Sequence, residues 1–313
     1  MTDRRRSATV MVMFTALSAA LALTACSSAP KKAAAVVTVK NDAADFSKLA
    51  DGFLSAGQYA SALQYYGEAL DANLSVDNVE GAIKSRGSLG RVYLALGNRP
   101  DAEREFGDAL EDARAFGKPG LVALCLSNLG ELRWAAGEAD AAEALFVEAE
   151  PLASGDEAMA AVIAHNRGVA AMGRGDYEAA RAFVTKAAAA NERARRWTEL
   201  GSNRYTLASI ANALGDMPAA VVWAGKALDA DKTAENGPGI GADLEALARL
   251  SRKSGNDAAS FDYYRRAFGV WLSLNRADEA ERCLVALGEL AGGLGKESYA
   301  MRYAELLDRL RHR

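Results

Sequence analysis

The sequence predicts an all-α chain built as a stack of about seven helix pairs, and three observations carry that prediction. Composition is the first. Half of the 313 residues are hydrophobic, a quarter are charged, 7% are aromatic and only six are proline. Alanine is abundant and β-branched runs are rare, a mixture that favours helices. The second is a glycine period. Gly57, Gly97, Gly137, Gly175, Gly215, Gly255 and Gly295 are spaced 40, 40, 38, 40, 40 and 40 residues apart. The third is the small-residue grammar kept at fixed offsets around each of these glycines. A unit of this length cannot bury its own apolar face, so such units stack and close one another's cores.

The first element is of another kind. Arg4, Arg5 and Arg6 precede the apolar, small-residue run "SATVMVMFTALSAALALTA", which ends in "LTAC" at Leu23 to Cys26. A basic start, an apolar segment and a small-residue cleavage site are the layout of an export signal over residues 1–25. The run is short for a transmembrane helix. The ending resembles a bacterial lipobox. That resemblance implies cleavage before Cys26 and acyl chains on its sulfur and amine, and several chains together hold a protein on a bilayer. "RRRSAT" lacks the apolar residues that a twin-arginine signal carries after its arginines. Ser27 after the lipidated cysteine is not aspartate, which favours the outer membrane if the organism has one. Without residues 1–25 the chain keeps 34 basic and 40 acidic residues, a net charge of −6 against −4 for the whole. A mildly acidic body adds nothing to attachment at an anionic surface, and it lacks the basic face that nucleic acid requires. Residues 26–43, with "SSAPKKAAAVVTVKNDA", show no helical period and read as a flexible tether.

The repeat body then runs over residues 44–313. Seven residues before each turn glycine stands Ala50, Gly90, Gly130, Gly168, Ala208, Ala248 or Gly288. Five after stands Ala62, Ala102, Ala142, Ala180, Ala220, Ser260 or Ala300, and twelve after another alanine, until Leu307 breaks the series. Nine after there is often a bulky residue: Tyr66, Phe106, Phe146 and Tyr264. Two antiparallel helices approach closely where side chains are small, and a large residue on the facing turn fills the gap. The glycine supplies the left-handed cap between them. Pro100 and Pro218 fall three residues after a turn glycine, in the first turn of a helix, where proline is tolerated. Pro119 and Pro238 fall in the expected links between units. Pro151 lies late in the one 38-residue unit, where it cuts a helix short. "AENGPGIGADL", residues 234–244, reads either as a hinge between units five and six or as a plain longer turn.

This skeleton resembles the tetratricopeptide repeat. "GQYASALQYYGEAL" and "LGRVYLALGNRPDAEREFGDAL" are close matches, whereas the later units place Val184, Ala224 and Ala304 where an aromatic is usual. The 40-residue period looks like the longer variety found in kinesin light chains, Leu-Gly-Asn-type adaptors and bacterial peptide-sensing regulators. The resemblance implies a right-handed α-solenoid in which the first helix of each pair lines the concave side. Helices of about 16 residues would be about 24 Å long.

Chemistry is sparse. Cys125 and Cys283 lie four units apart, too far for a bond within one chain. They read as unpaired thiols, with an intermolecular bridge as the alternative. His165 and His312 are the only histidines, and no zinc-ligand spacing or phosphate-loop motif occurs. "GPGIG" has no strand before it. No cofactor, no metal and no enzymatic activity are expected. What is left is a surface. In the long-repeat variety an asparagine before the "Leu-Gly" bonds an extended peptide, and Asn128 and Asn166 occupy that place, with Lys48, Ser88, Thr206, Ala246 and Ala286 in the other units. Helical spacing sets Glu131 and Trp134 with Asn128. It sets Val169 and Met172 with Asn166, and Ser209 and Asn212 with Thr206. His165 and Tyr205 flank the row, and His165 is a candidate pH-sensitive element. The amides either bind a partner or only bond neighbouring helices. Arg249 and Arg252, with Lys253, form either a site for an acidic partner or a solvated face. The expected function is that of a lipid-anchored scaffold for other envelope proteins or their peptide segments. The alternative is an envelope receptor for a soluble peptide or cell-wall fragment.

Overall fold

The computed structural model describes residues 34–312; the export signal and Cys26 lie outside the described residues. The described residues form fourteen helices and no strand. The first pair is α1 (Ala34–Ser55) with α2 (Tyr59–Ser75), followed by α3 (Val79–Ala95) with α4 (Arg99–Phe116). Next come α5 (Pro119–Ala135) with α6 (Ala139–Leu152), α7 (Glu157–Gly173) with α8 (Tyr177–Arg193), and α9 (Trp197–Ala213) with α10 (Met217–Thr233). The last are α11 (Gly237–Lys253) with α12 (Asp257–Ser273) and α13 (Ala277–Gly293) with α14 (Glu297–Arg311). The result is an α-solenoid of seven helix pairs.

The turn inside each pair is set by its glycine. All seven have positive φ, between 67° and 84°. At Gly97 the bonds Gly97 N–H to Leu94 O (3.0 Å) and Asn98 N–H to Tyr93 O (2.9 Å) close the last turn of α3. That is the two-bond ending a left-handed residue permits. Between pairs the same conformation falls on Asp77, Arg195, Glu235 and Asn275, with φ of 51–57°.

The expected small-to-large packing is present. A Cβ on Gly90 would overlap the Phe106 ring, one on Gly130 the Phe146 ring, and one on Gly168 the Val184 side chain. Tyr66, Phe106 and Phe146 are almost fully buried, each set among alanines that show no exposed surface. Close approach of helix backbones therefore rests on alanine and glycine, with one large side chain filling each gap.

Each helix packs on the next in sequence. The first helices of successive pairs also touch, α1 on α3, α3 on α5, α5 on α7, α7 on α9 and α9 on α11. First helices therefore crowd together on the inside of the curve. The curve brings its ends together. The Arg276 side chain at the start of α13 lies against the α1–α2 turn, where a Cβ on Gly57 would stand 3.3 Å from its Cδ and Nε.

Two expectations are corrected and one open choice is decided. The tether was expected to reach residue 43, but α1 begins at Ala34. Ala43 and Ala50 are buried, seven residues apart on one face, and packing supplies the order that the local pattern does not show. Pro119 and Pro238 sit in the first turns of α5 and α11, not in links. Residues 234–236 make a regular turn with Asn236 as the residue before α11, so 234–244 is a plain turn followed directly by helix. Pro100 and Pro218 lie in first turns as expected, and α6, which holds Pro151, has 14 residues where most helices have 17. Cys125 and Cys283 are free and buried, and burial pushes both thiols up to about 12.

Candidate functional site

Two cavities on the first helices gather most of the residues singled out from the sequence. The larger, of about 510 Å³, lies across α3, α5 and α7 and is lined by Leu94, Glu131, Trp134, Ala135, Phe146, His165, Asn166 and Val169. The Trp134 side chain is 42% exposed, unusual for the largest apolar side chain. Burial raises the Glu131 carboxyl above the usual range, and the Asn166 amide and Arg91 charge oppose this only in part. The cavity is thus an apolar hollow with an indole at its mouth and a carboxyl biased towards its neutral form.

The smaller cavity, of about 150 Å³, lies between α9 and α11 and includes Tyr205, Asn212, Arg249 and Lys253. Lys253 Nζ donates to Asn212 Oδ1 at 2.7 Å, and Arg249 donates to Tyr205 Oη at 3.4 Å. Arg249 also pairs with Glu245 at 3.3 Å. These cations tie adjacent first helices together while remaining exposed.

Three of the singled-out residues line neither cavity. Asn128 is buried at 6% exposure, with its amide nitrogen 3.0 Å from where a Cβ on Gly87 would be. Met172 is half-buried and packs against the cluster that holds Val184 and Leu207. Arg252 pairs with Glu289 of α13 at 3.0 Å and lines neither cavity. Asn166 does line the large cavity, but its Nδ2 donates to Ser127 Oγ (3.1 Å) and Glu131 Oε1 (2.8 Å) on α5. Of the two readings of the amides, bonding to neighbouring helices is the one the geometry shows for Asn166. The inner helices stand so close that a donor facing sideways meets a helix first.

His165 lines the same cavity, and its ring is engaged by α9. Its Nδ1 stands 2.9 Å from Asn203 Nδ2, so it accepts, and burial lowers its pKa to about 4. It is neutral at ordinary pH and titrates only in acid.

The sequence reading missed a polar seam between pairs. The position sixteen after one turn glycine meets the position twelve before the next. Asn73 donates to Ser85 (3.2 Å) and Asn191 to Asn203 (2.7 Å), and Asp231 hydrogen-bonds Asp243. Arg196 donates to Asn191, which extends the second junction into a chain of four residues ending at His165. Asp231 and Asp243 are 3% and 1% exposed. Burial first, then the neighbouring Asp231, pushes Asp243 to about 9, so the pair holds a shared proton. Aligning the units at these two offsets exposes the pattern. The remaining junctions carry Ala113 with Cys125, Ala153 with Ile163 and Trp271 with Cys283.

Among the described residues no group of three or more His, Cys, Asp and Glu side chains could hold a metal ion. No helix among them is long and apolar enough to cross a membrane.

Residues 81–154 and residues 161–184 each match a tetratricopeptide-repeat family. No curated protein matches the chain at a significant level. Similar solved structures include a Rap protein complexed with Competence and Sporulation Factor. It has a TM-score of 0.64 at 16% identity, with 87% of this chain and 75% of that one covered. Aspartyl phosphate phosphatase F from Bacillus subtilis gives 0.58 at 15% identity, covering 89% and 72%. BtubC from P. vanneervenii gives 0.51 at 17% identity, covering 76% and 92%. At these identities the likeness is one of fold.

Proposed function

Since the chain is a tetratricopeptide-repeat protein, we propose that it is a scaffold whose inner helices hold an extended segment of another envelope protein. The observation that carries this is the hollow around Trp134. An exposed indole over a cavity of about 510 Å³, with Leu94, Phe146 and Val169 in its walls, is a receptor for one large apolar side chain. The polar cavity between α9 and α11 continues the same inner face and offers Arg249 and Lys253 to an acidic neighbour. Such an arrangement binds without needing reactive groups of its own.

We further read the chain as exported and held by acyl chains on Cys26, on the outer membrane facing the periplasm. The support for this is the "LTAC" pattern after a basic, apolar start. Metabolic labelling with palmitate tests it: label on the wild type and none on Cys26→Ala is expected, and unlabelled wild type contradicts it.

Affinity purification of the wild type beside Trp134→Ala tests the scaffold. The partner is expected to fall about tenfold or more in yield with the fold intact. Equal recovery would remove the cavity from the binding surface. A second reading, a receptor for a soluble peptide or cell-wall fragment, draws support from one structural neighbour being complexed with a separate factor. Compaction in solution scattering on adding a small ligand would favour it.

A further inference from the structure

The cavity between α1 and α3 differs in charge from the rest of the molecule. Its volume is about 430 Å³, and Lys40, Lys48, Lys84 and Arg91 line it against a single carboxylate, Asp51. The whole chain carries −4, so this is a local reversal of sign. The cations are set by helical spacing. Lys40, Ser47, Lys48 and Asp51 share one stripe of α1, and Lys84, Ser85, Ser88 and Arg91 share one of α3. The stripes face each other across a floor that includes Tyr66 and Asn73.

The charges are poorly compensated. Among the described residues no acidic group pairs with Lys40 or Lys48. Lys84 shares Glu80 with Lys118, at 2.8 and 2.7 Å. Arg91 hydrogen-bonds only the Ser88 hydroxyl, at 3.4 Å, although its charge is also felt by Glu131 and Tyr66. Asp51 accepts from the Tyr66 hydroxyl, which holds it at the floor. The Ser85 hydroxyl is 3% exposed and accepts from Asn73, so its own hydrogen stays available to an acceptor in the cavity.

We propose that this cavity binds a soluble phosphate monoester. Three ammonium groups are compact point charges with rotatable donors, which suit a tetrahedral dianion. A planar carboxylate is matched by paired guanidinium forks, and only one guanidinium is present. A phosphate monoester carries about −1.5 to −2 charges and three strong acceptors. It neutralises the excess of cations that one carboxylate would leave. The hollow lies between adjacent first helices on the inside of the curve, where a flat bilayer surface does not reach, so the phosphate arrives on a small soluble molecule.

Calorimetry on the full-length protein at fixed ionic strength tests the assignment. The probes are inorganic phosphate, glycerol 3-phosphate, succinate, and vesicles of phosphatidylcholine with phosphatidic acid. The two soluble phosphates are expected to compete for one saturable site that succinate fills at least about tenfold more weakly. Lys40→Gln and Lys48→Gln should each weaken binding about threefold, and together about tenfold, while Lys226→Gln on α10 changes nothing. Lys40 and Lys48 are exposed, so folding is not at issue. Succinate binding as tightly as phosphate would overturn the proposal. So would insensitivity to both lysines, the absence of saturable binding up to about 10 mM, or binding to the vesicles alone.

Discussion

Gly130 and Gly107 both lie inside helices, yet alanine at the two positions should move stability in opposite directions. A Cβ on Gly130 overlaps the Phe146 ring, whereas nothing stands within 4 Å of one on Gly107. Gly130→Ala is expected to destabilise by about 1–3 kcal/mol through overpacking. Gly107→Ala is expected to stabilise by about 0.5–1 kcal/mol, because glycine loses more entropy in a helix than alanine. Thermal melts of the two variants beside the wild type check both signs.

The buried titratable residues set a pH profile. Asp243 is raised from 3.8 to about 9. Between those values the folded chain holds a proton that the unfolded chain has lost. Its contribution is complete below about pH 4 and is lost as pH rises through about 9. The limiting slope is about 1.4 kcal/mol per pH unit. His165 is lowered from 6.5 to about 4, so here the unfolded chain holds the extra proton. Its contribution is complete above pH 6.5 and is lost as pH falls through about 4, about 3 kcal/mol at most. The two slopes oppose each other below pH 6.5, and of the two only that of Asp243 remains above it. Urea midpoints from pH 5 to 9 should therefore fall towards the alkaline side. Asp243→Asn should flatten that fall, and His165→Gln should steepen the rise towards acid. Identical profiles for all three proteins would contradict both assignments.

At the scale of elements, the junction between α8 and α9 rests on Asn203, which bonds Asn191 and His165 together. Asn203→Ala leaves two buried polar groups without this partner and should cost about 1–3 kcal/mol. Amide exchange should quicken in α8 and α9 before the outer pairs respond. Much of the element plan was legible in the sequence because it depends on local geometry. A left-handed turn selects glycine, and helix contact selects small residues, so Gly97, Gly90 and Phe106 mark turn, contact and filler. The start of α1 was not legible, since Ala43 and Ala50 find their burial against other helices. The seam was equally hidden, because Asn73, Asn191 and Asp231 look like solvated positions until the next pair covers them. The candidate site was legible in part. Spacing brought Glu131, Trp134, His165 and Asn166 to one hollow, but it could not show that neighbouring helices would engage the Asn166 amide.

Over the whole molecule, Arg276 joins the seventh pair to the turn of the first. Besides meeting Gly57, it donates to Glu279 and stands 5.9 Å from the centre of the Trp271 ring. The curve is thus closed by one long side chain held on two sides. Arg276→Ala should loosen the closure without melting the repeats. Spin labels on the α1–α2 and α12–α13 turns should then show a longer and broader distance distribution than in the wild type. An unchanged distribution would show that the curve is fixed by packing between neighbours alone.

The central claim is that the inside of this curve holds a partner through the cavity at Trp134. A photoreactive phenylalanine analogue at Trp134 on α5, compared with one at Trp223 on the second helix α10, tests it most directly. After irradiation in living cells, a discrete cross-linked partner is expected from position 134 and none from position 223. Adducts at 223 alone, or equally at both, would contradict it.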